Sequence, residues 1–479
     1  MKKSLFAAIL LLLTATSIAQ EKKWTLAECV DYALKNNIQI KNTELDSRLA
    51  DVDKKAAFGN FLPTVNGQAS HSWNIGLNQN ITTGLLENQT TQFTSAGLSV
   101  GVNLYSGLQS QNRLRRANLA ILAAQYQLAK MKDDVALNVA NAFLQILFNK
   151  ENLKVQQEQL ANNQRQQGRT QELVNAGSVP RGDLMDMKAT VATSEQNVIL
   201  AENALLISKL SLAQLLQLDD FQNFDIADDD YEATLSETMG QTPQAIFEKA
   251  KETRVEIKIA RANLELAERD VKIARGNFQP NLQGFYSFST RAAYADRVTG
   301  FAPDIATPFS TIGTVDVNGT TYNVVQPNFV PVLGSALPLW EQFDENKGHS
   351  FGLQLNVPVL NGFQARNSVE RAKIALDRSK IAMSQQELDL ERNVYQAFTD
   401  AKGALNAYEA AQTALEARQL AFDYARERYE VGIINAFDYN QAQTLYVNAQ
   451  SDLIRAKFDY IFRVKVVEFY FGIPITQLK

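Results

Sequence analysis

The run Val65-Asn66-Gly67-Gln68-Ala69-Ser70-His71-Ser72-Trp73-Asn74-Ile75 alternates, with Val65, Gly67, Ala69, His71, Trp73 and Ile75 on one face and polar residues on the other. A period of two predicts a strand with one apolar and one polar side. The pattern returns with Ala96, Leu98, Val100, Val102 and Leu104 set against Ser95, Gly97, Ser99, Gly101 and Asn103. Leu282, Gly284, Tyr286 and Phe288 form a third such face, and Phe351, Leu353, Leu355, Val357 and Val359 a fourth. Each run is close to the ~10 residues that cross an outer membrane as a tilted strand. Strands of a soluble sandwich alternate too, but four strands flanked by long helices cannot cover their own apolar face. Four are also too few to close a barrel, for which ~8 is the smallest number. Copies of the chain must therefore pool strands, and three copies would supply twelve.

The helices around these strands are long. No proline interrupts the segment between Gly107 and Gly177, which as one helix would reach about 100 Å at 1.5 Å per residue. Its apolar positions step by three and four through Leu114, Ala117, Ile121, Ala124, Leu128, Met131 and Val135, then shift phase through Val139, Ala142 and Ile146. Val369, Ala372, Leu376, Ser379, Met383, Gln386, Leu390, Val394 and Ala397 repeat the pattern with the extra step in the same place. A heptad with such a stutter predicts coiled-coil packing whose supercoil locally unwinds. Shorter returning helices are expected from about Leu184 to Leu218 and Asp438 to Phe471, and leading ones from Thr25 to Gly59 and Pro243 to Gly276. Two half-length helices stacked beside each long one would make a cylinder wall. A solid antiparallel bundle or a filament explains the heptads equally well but leaves the strands idle.

The chain is written twice. Placing Gly177 on Gly432 gives an offset of 255 (432 − 177), which also carries Gly97-Leu98 onto Gly352-Leu353 and Gly107 onto Gly362. A second frame, 217 (276 − 59), puts Gly59-Asn60-Phe61-Leu62-Pro63 on Gly276-Asn277-Phe278-Gln279-Pro280. Duplication at this scale makes a pseudo-symmetric protomer. Two repeats are expected, 20–242 and 243–479, each with a helix, a β-hairpin (62–105 and 279–361), a long helix, a tip (174–184 and 429–439) and a returning helix; residues 219–242 lie at mid-height. The second hairpin carries a long Pro- and Gly-punctuated loop, 290–350, with a possible small hairpin at Asn318-Gly319. Topology places this loop outside the cell, where it could narrow the mouth or simply move.

Lys2 and Lys3, the apolar run Leu5 to Leu13 and the small residues Ser17-Ile18-Ala19 have the form of a secretory signal peptide covering residues 1–19. After it no stretch approaches ~18 consecutive apolar residues, so a bilayer would be crossed as a barrel. Leu26-Ala27-Glu28-Cys29 is a poor lipoprotein box because Glu28 stands where a small residue is needed; Cys29 reads as a small buried residue on a helix. The 479 residues carry a net charge of −5 with one cysteine and two histidines. That balance gives no basic footprint for nucleic acid, no disulfide framework and little material for a metal site, and no cofactor is expected. Asp228-Asp229-Asp230 reads as a solvated charge run. Acidic pairs occur on helices, but none is framed by a recognisable catalytic pocket, so an enzyme is not expected.

The long helices turn at Val174-Asn175-Ala176-Gly177-Ser178-Val179-Pro180-Arg181-Gly182-Asp183-Leu184 and at Tyr429-Glu430-Val431-Gly432-Ile433-Ile434-Asn435-Ala436-Phe437-Asp438-Tyr439. In each, the glycine stops one helix and the aspartate six residues on can cap or enter the first turn of the next. The spacing of Tyr429, Gly432 and Asp438, its first-half version Gly177 and Asp183, the opening Trp24-Thr25-Leu26-Ala27-Glu28 with Ala33-Leu34 and Asn36-Asn37, and the duplicated strand-helix order together resemble the TolC-like outer-membrane efflux family over essentially the whole mature chain.

The resemblance implies an α+β membrane protein: a coiled-coil α-helical barrel plus four β-strands per protomer of a trimer, joined in a shared 12-stranded β-barrel. It implies that the tips form a periplasmic entrance gated by acidic side chains and charge links, and that they dock a periplasmic adaptor. By position, Asp438 would be the constriction residue, and Tyr429 and Asp183 would belong to links between hairpins; Asp186 could add acidity. The sequence departs from the family's best-known member at Ile434, where that member has an arginine, and at Gln441, where it has a second acidic residue. Asp183 and Asp438 read equally well as ordinary caps. The expected function is the outer-membrane exit duct of a tripartite efflux or type I secretion system, driven by an inner-membrane pump of the RND or ABC type. A periplasmic coiled-coil scaffold is the rival reading. Few Met and His residues argue against a soft-metal cargo.

Overall fold

Thr25 opens the first helix with a reciprocal cap: its hydroxyl accepts from the Glu28 N–H at 3.3 Å, and the Glu28 carboxylate accepts from the Thr25 N–H at 3.0 Å. The computed structural model describes residues 23–80, 82, 84–218, 224–227, 231 and 236–474; the expected signal peptide and Asp228-Asp229-Asp230 lie outside them. The first half runs through α1 (Leu26–Asn36), α2 (Ile38–Gly59), β1 (Thr64–Gln79), β2 (Leu86–Ser106), α3 (Gln109–Asn175) and α4 (Arg181–Leu216). The second has α5 (Pro243–Thr253), α6 (Val255–Arg275), β3 (Asn281–Ala293), β4 (Arg297–Pro303), β5 (Phe309–Val317), β6 (Thr320–Pro327), β7 (Phe329–Gly334), α7 (Leu339–Glu345), β8 (Gly348–Asn356), α8 (Gln364–Glu430) and α9 (Ala436–Phe471). By contacts the described residues form two units, one from those up to Lys54, Arg116–Glu268 and those from Lys373 onward, the other from Lys55–Arg115 and Arg269–Ala372.

Each leading helix, expected to be continuous, is broken. Asn37 leaves the helical region (φ −59°, ψ 130°), donates from Nδ2 to the Leu215 carbonyl at 3.0 Å and accepts from the Gln39 N–H at 2.9 Å. Arg254 breaks the second copy (φ −67°, ψ 134°) at the position 217 residues on. Its buried guanidinium holds Glu256 at 2.9 Å and Asp133 at 3.5 Å and lies 3.8 Å over the Phe469 ring. At both breaks a buried polar side chain ties the turn to another helix, Asn37 to α4 and Arg254 to Asp133 of α3.

The helical unit has two cores of the same design. Leu26, Cys29, Val30 and Ala33 of α1 meet Val139, Phe143 and Ile146 of α3 and Leu212 and Leu216 of α4. Ile246, Phe247 and Ala250 of α5 meet Leu390, Val394 and Ala401 of α8 and Tyr460, Val464 and Val467 of α9. Cys29 is fully buried and stands where the second half has Ile246, also fully buried, so it packs as a small apolar residue. Outside the cores, one apolar stripe is left open: Ile374, Ile381, Leu388 and Tyr395 recur every seven residues along α8 and are exposed, as are Ile38, Leu45, Leu49 and Val52 on α2. Among the described residues α4 is the one helix long and apolar enough to cross a membrane, a feature that no unbroken apolar run announced. Lys209 of α4 is committed to Asp225 at 2.9 Å.

In the other unit, four antiparallel strands form one sheet in the order β8-β3-β2-β1. The ladders align Val65, Val100, Tyr286 and Phe351 on one rung and Gly67, Leu98, Phe288 and His349 on another. The intervening rungs carry Asn66, Ser99, Ser287 and Ser350. The four alternating patterns thus combine into one sheet with a mainly apolar face, interrupted by Gln92 and Thr94, and a mainly polar face that also carries Phe93 and Phe285. β8 stops at Asn356, short of the expected Val359, because Pro358 lacks the N–H the ladder requires.

Residues 294–347 are ordered where a plain loop was one expectation. β4 pairs with β7 and β5 with β6. Asn318 and Gly319 both take positive φ (54° and 80°), the turn that matches hairpin twist. Between the two ladders Asp304 accepts from the N–H groups of Ala306 and Thr307 at 2.9 and 3.1 Å, and Asn328 Nδ2 donates to the Thr307 carbonyl at 2.8 Å, fixing a bend. Gln342 of α7 accepts from the Ala293 N–H at 2.9 Å and donates to its carbonyl at 3.0 Å, ending β3 as a strand partner would.

Candidate functional site at the helix tips

Gly177 and Gly432 end their helices with φ of 74° and 76°. At the first tip Ser178 N–H reaches the Leu173 carbonyl at 2.9 Å and Gly177 N–H that of Val174 at 3.0 Å; Ile433 and Gly432 repeat both bonds to Arg428 and Tyr429. This is the Schellman closure, which needs a left-handed residue at that position. A Cβ on either glycine would meet nothing within 4 Å, so backbone conformation alone selects them.

Of the two expected arrangements, cap or first turn, the helices that follow take the second. α4 has Pro180 at its N-cap and no side-chain cap, with Asp183 in its first turn. α9 is capped by Asn435, whose Oδ1 accepts from the Asp438 N–H at 2.9 Å. Asp438 and Asp183 therefore occupy first-turn positions, where the helix dipole favours a negative charge, and neither caps. Asp438 and Asp186 are exposed, and Asp183 is half-buried.

Tyr429 stacks on Tyr439 at 4.8 Å, and Phe422 stacks on Tyr446 at 5.3 Å while tilting over Tyr439 at 5.7 Å. This aromatic ladder ties α8 to α9 within one hairpin. Burial pushes the Tyr439 phenol above its ordinary value and keeps it neutral. The contacts between the two hairpins are made by other residues: Arg169 of α3 meets Glu430 of α8 at 3.5 Å, and Asn440 of α9 donates to Thr190 of α4 at 3.4 Å. Nothing local marks Arg169, Glu430 or Asn440, since their pairing depends on how two hairpins far apart in sequence come together. Around the second tip Val431, Ile433 and Phe437 are exposed, an apolar surface beside Ile434.

Above the tips a groove of about 870 Å³ opens between α3, α4 and α9. It is lined by uncharged groups, polar ones such as Gln156, Asn163, Asn197 and Gln441 beside apolar ones such as Leu200 and Leu445. Asn163 donates to Ser194 at 2.7 Å across it. Such walls hydrogen-bond water and carry no fixed charge. Among the described residues no cluster of three or more His, Cys, Asp or Glu could hold a metal ion.

Long paired helices ending in glycine-closed tips, together with a two-faced four-stranded sheet, define a class of membrane channel protein. A family model for outer membrane efflux proteins matches residues 29–217 and 246–462, so the chain belongs to the outer membrane efflux protein family, a family of outer-membrane channels and not of enzymes. The outer membrane protein TolC of Vibrio cholerae is 23% identical over 444 residues, covering 92% of this chain and 88% of that protein. Among solved structures, CusC superposes with a TM-score of 0.74 at 17% identity, covering 96% of each chain. The Campylobacter jejuni outer membrane channel CmeC gives 0.70 at 18%, covering 93% of this chain and 85% of that one. At these identities the likeness to solved structures is one of fold.

Proposed function

We propose that the mature chain, two repeats covering 20–242 and 243–479 after a leader at 1–19, assembles as a homotrimer. Its sheets would close into a 12-stranded barrel and its helices into a tunnel through the periplasm. The observation that carries this reading is the sheet: one face mainly apolar, the other mainly polar, and the outer edges of β1 and β8 unpaired among the described residues. A single copy would expose its backbone edges to lipid at a cost of several kcal/mol per unpaired group. The open apolar stripes on α2 and α8 also call for a neighbour.

On this reading the chain is the passive exit duct of a tripartite efflux or type I secretion system, driven by an inner-membrane RND or ABC pump. The exposed Val431, Ile433 and Phe437 supply a surface for a periplasmic adaptor, and the polar sheet face and amide-lined groove suit a wet conduit. Asp438 and Asp183, with Asp186 nearby, would set the charge of the entrance; Tyr429 steadies one hairpin and Gly177 and Gly432 shape both tips.

Detergent-corrected light scattering on protein from outer membranes should give three chain masses. In planar bilayers Asp438→Asn with Asp183→Asn should lower cation preference. A protein that leaves membranes without detergent as a monomer would favour the periplasmic scaffold instead. Unchanged ion selectivity in a conducting trimer would remove the aspartates from the gate.

A further inference from the structure

The two hairpins of the sheet obey the sequence duplication rung for rung. In the first, Gly67 faces Leu98 and Thr64 faces Gly101. Advancing β1 positions by 217 and β2 positions by 255 gives Gly284 facing Leu353 and Asn281 facing Asn356, and those are the pairs found between β3 and β8. β3 is thus the copy of β1 and β8 the copy of β2, in a conserved frame. One ladder remains whose copy is absent from the chain: β2 with β3, where Ala96 faces Thr290, Leu98 faces Phe288 and Val100 faces Tyr286. Its copy joins β8 to β1, the two edges left unpaired.

We infer that the free edge of β8 pairs with β1 of a second copy in the frame that the duplication dictates: Phe351 opposite Trp73, Leu353 opposite His71 and Leu355 opposite Ala69. This rests on the shared-barrel reading and fixes how the barrel closes. The faces agree, since all six residues lie on the apolar side. The alternate rungs bring Ser350 to Asn74, Gly352 to Ser72 and Gln354 to Ser70 on the polar side. A slip of one residue would put the apolar set of one strand beside the polar set of the other. A slip of two would keep the faces but break the duplication. In the inferred frame Phe351 comes against Trp73, whose ring already meets His71 edge-on at 4.2 Å, so an aromatic cluster covers the joint on its lipid side.

The test is oxidative cross-linking of the full chain in membranes with paired cysteines; the native Cys29 is fully buried. Directly opposed residues stand about 4.5–5.5 Å apart, within disulfide reach, whereas diagonal ones lie ~7–8 Å apart. Phe351→Cys with Trp73→Cys should give covalent dimers and trimers, and Phe351→Cys with His71→Cys or Ile75→Cys should give far fewer. Gln354→Cys with Ser70→Cys, on the polar face, repeats the test with less disturbance, and single variants control for assembly. If the trimer mass persists but a pair shifted by two links best, or no pair links, the frame is wrong while the channel reading stands. If the wild-type protein is a monomer in detergent, the channel reading falls and the frame with it.

Discussion

Helices α2 and α6 are copies of one another, yet Leu45 is 57% exposed where its counterpart Ala262 is 4% exposed. The same holds for the long helices: Ile374, Ile381, Leu388 and Tyr395 of α8 stand open, whereas Leu119, Tyr126, Asp133 and Ala140 in the matching positions of α3 are half-buried or buried. The difference lies in what each copy meets. Arg254, at the head of α6, reaches Asp133 of α3 inside the same chain, while α8 has no second copy of α2 to receive. The same apolar or mixed stripe is therefore covered where the chain supplies a neighbour and open where it does not, and on the trimer reading the open stripe is what a second copy would cover.

Charge placed on either side of this contrast separates folding from assembly. Val394→Asp, in a core position 1% exposed, should cost about 4 kcal/mol or more and leave little folded protein. Leu388→Asp with Ile381→Asp should fold with unchanged circular dichroism but run as a monomer by light scattering; a persisting trimer would remove the seam from the interface. The two helix breaks should differ in the same sense. Arg254→Ala strips Glu256 and Asp133 of a buried partner and should cost about 2–3 kcal/mol in thermal unfolding, against about 1 kcal/mol for Asn37→Ala, which loses neutral hydrogen bonds. Among turn glycines, Gly432→Ala should cost about 1 kcal/mol through its positive φ alone. Gly107→Ala should cost more, since its Cβ would lie 2.4 Å from the Gly276 carbonyl oxygen.

The smallest effect is a matter of pH. Burial alone would raise the Asp225 carboxyl, but hydrogen bonds from Lys150 and Lys209 outweigh it and hold the group below its ordinary value. A lowered folded value contributes stability above the unfolded value near 3.9, and that stability is lost as pH falls through the folded one. Acid unfolding of Asp225→Asn should therefore be flatter with pH below about 4 than that of the parent chain.

The strands were legible because alternation is a local signal that any two-sided wall must carry, and the long helices because nothing in 70 residues could stop them. The tips were legible as helix-turn-helix, with the aspartates at a cap or in the first turn; that Asn435 caps α9 and leaves Asp438 in the first turn is what the sequence left open. The breaks at Asn37 and Arg254 were not legible, since an ordinary helix former such as Arg254 leaves the helix only because Glu256, Asp133 and Phe469 wait for it. Register was hidden as well, because alternation fixes which face a residue takes but not which residue lies opposite. The Arg169–Glu430 pair is the same kind of fact, a meeting of two segments whose separation in sequence carries no hint of it.

The shared frame of the two hairpins also bears on ancestry. A chain of half the length, with one helix, one hairpin, one long helix and one return, would present the same two ladders and could close the wall of the proposed trimer with six identical copies. Doubling such a chain would free alternate seams to differ, as Leu45 and Ala262 do, while the sheet, in which a slipped rung disturbs every neighbour, would keep its count.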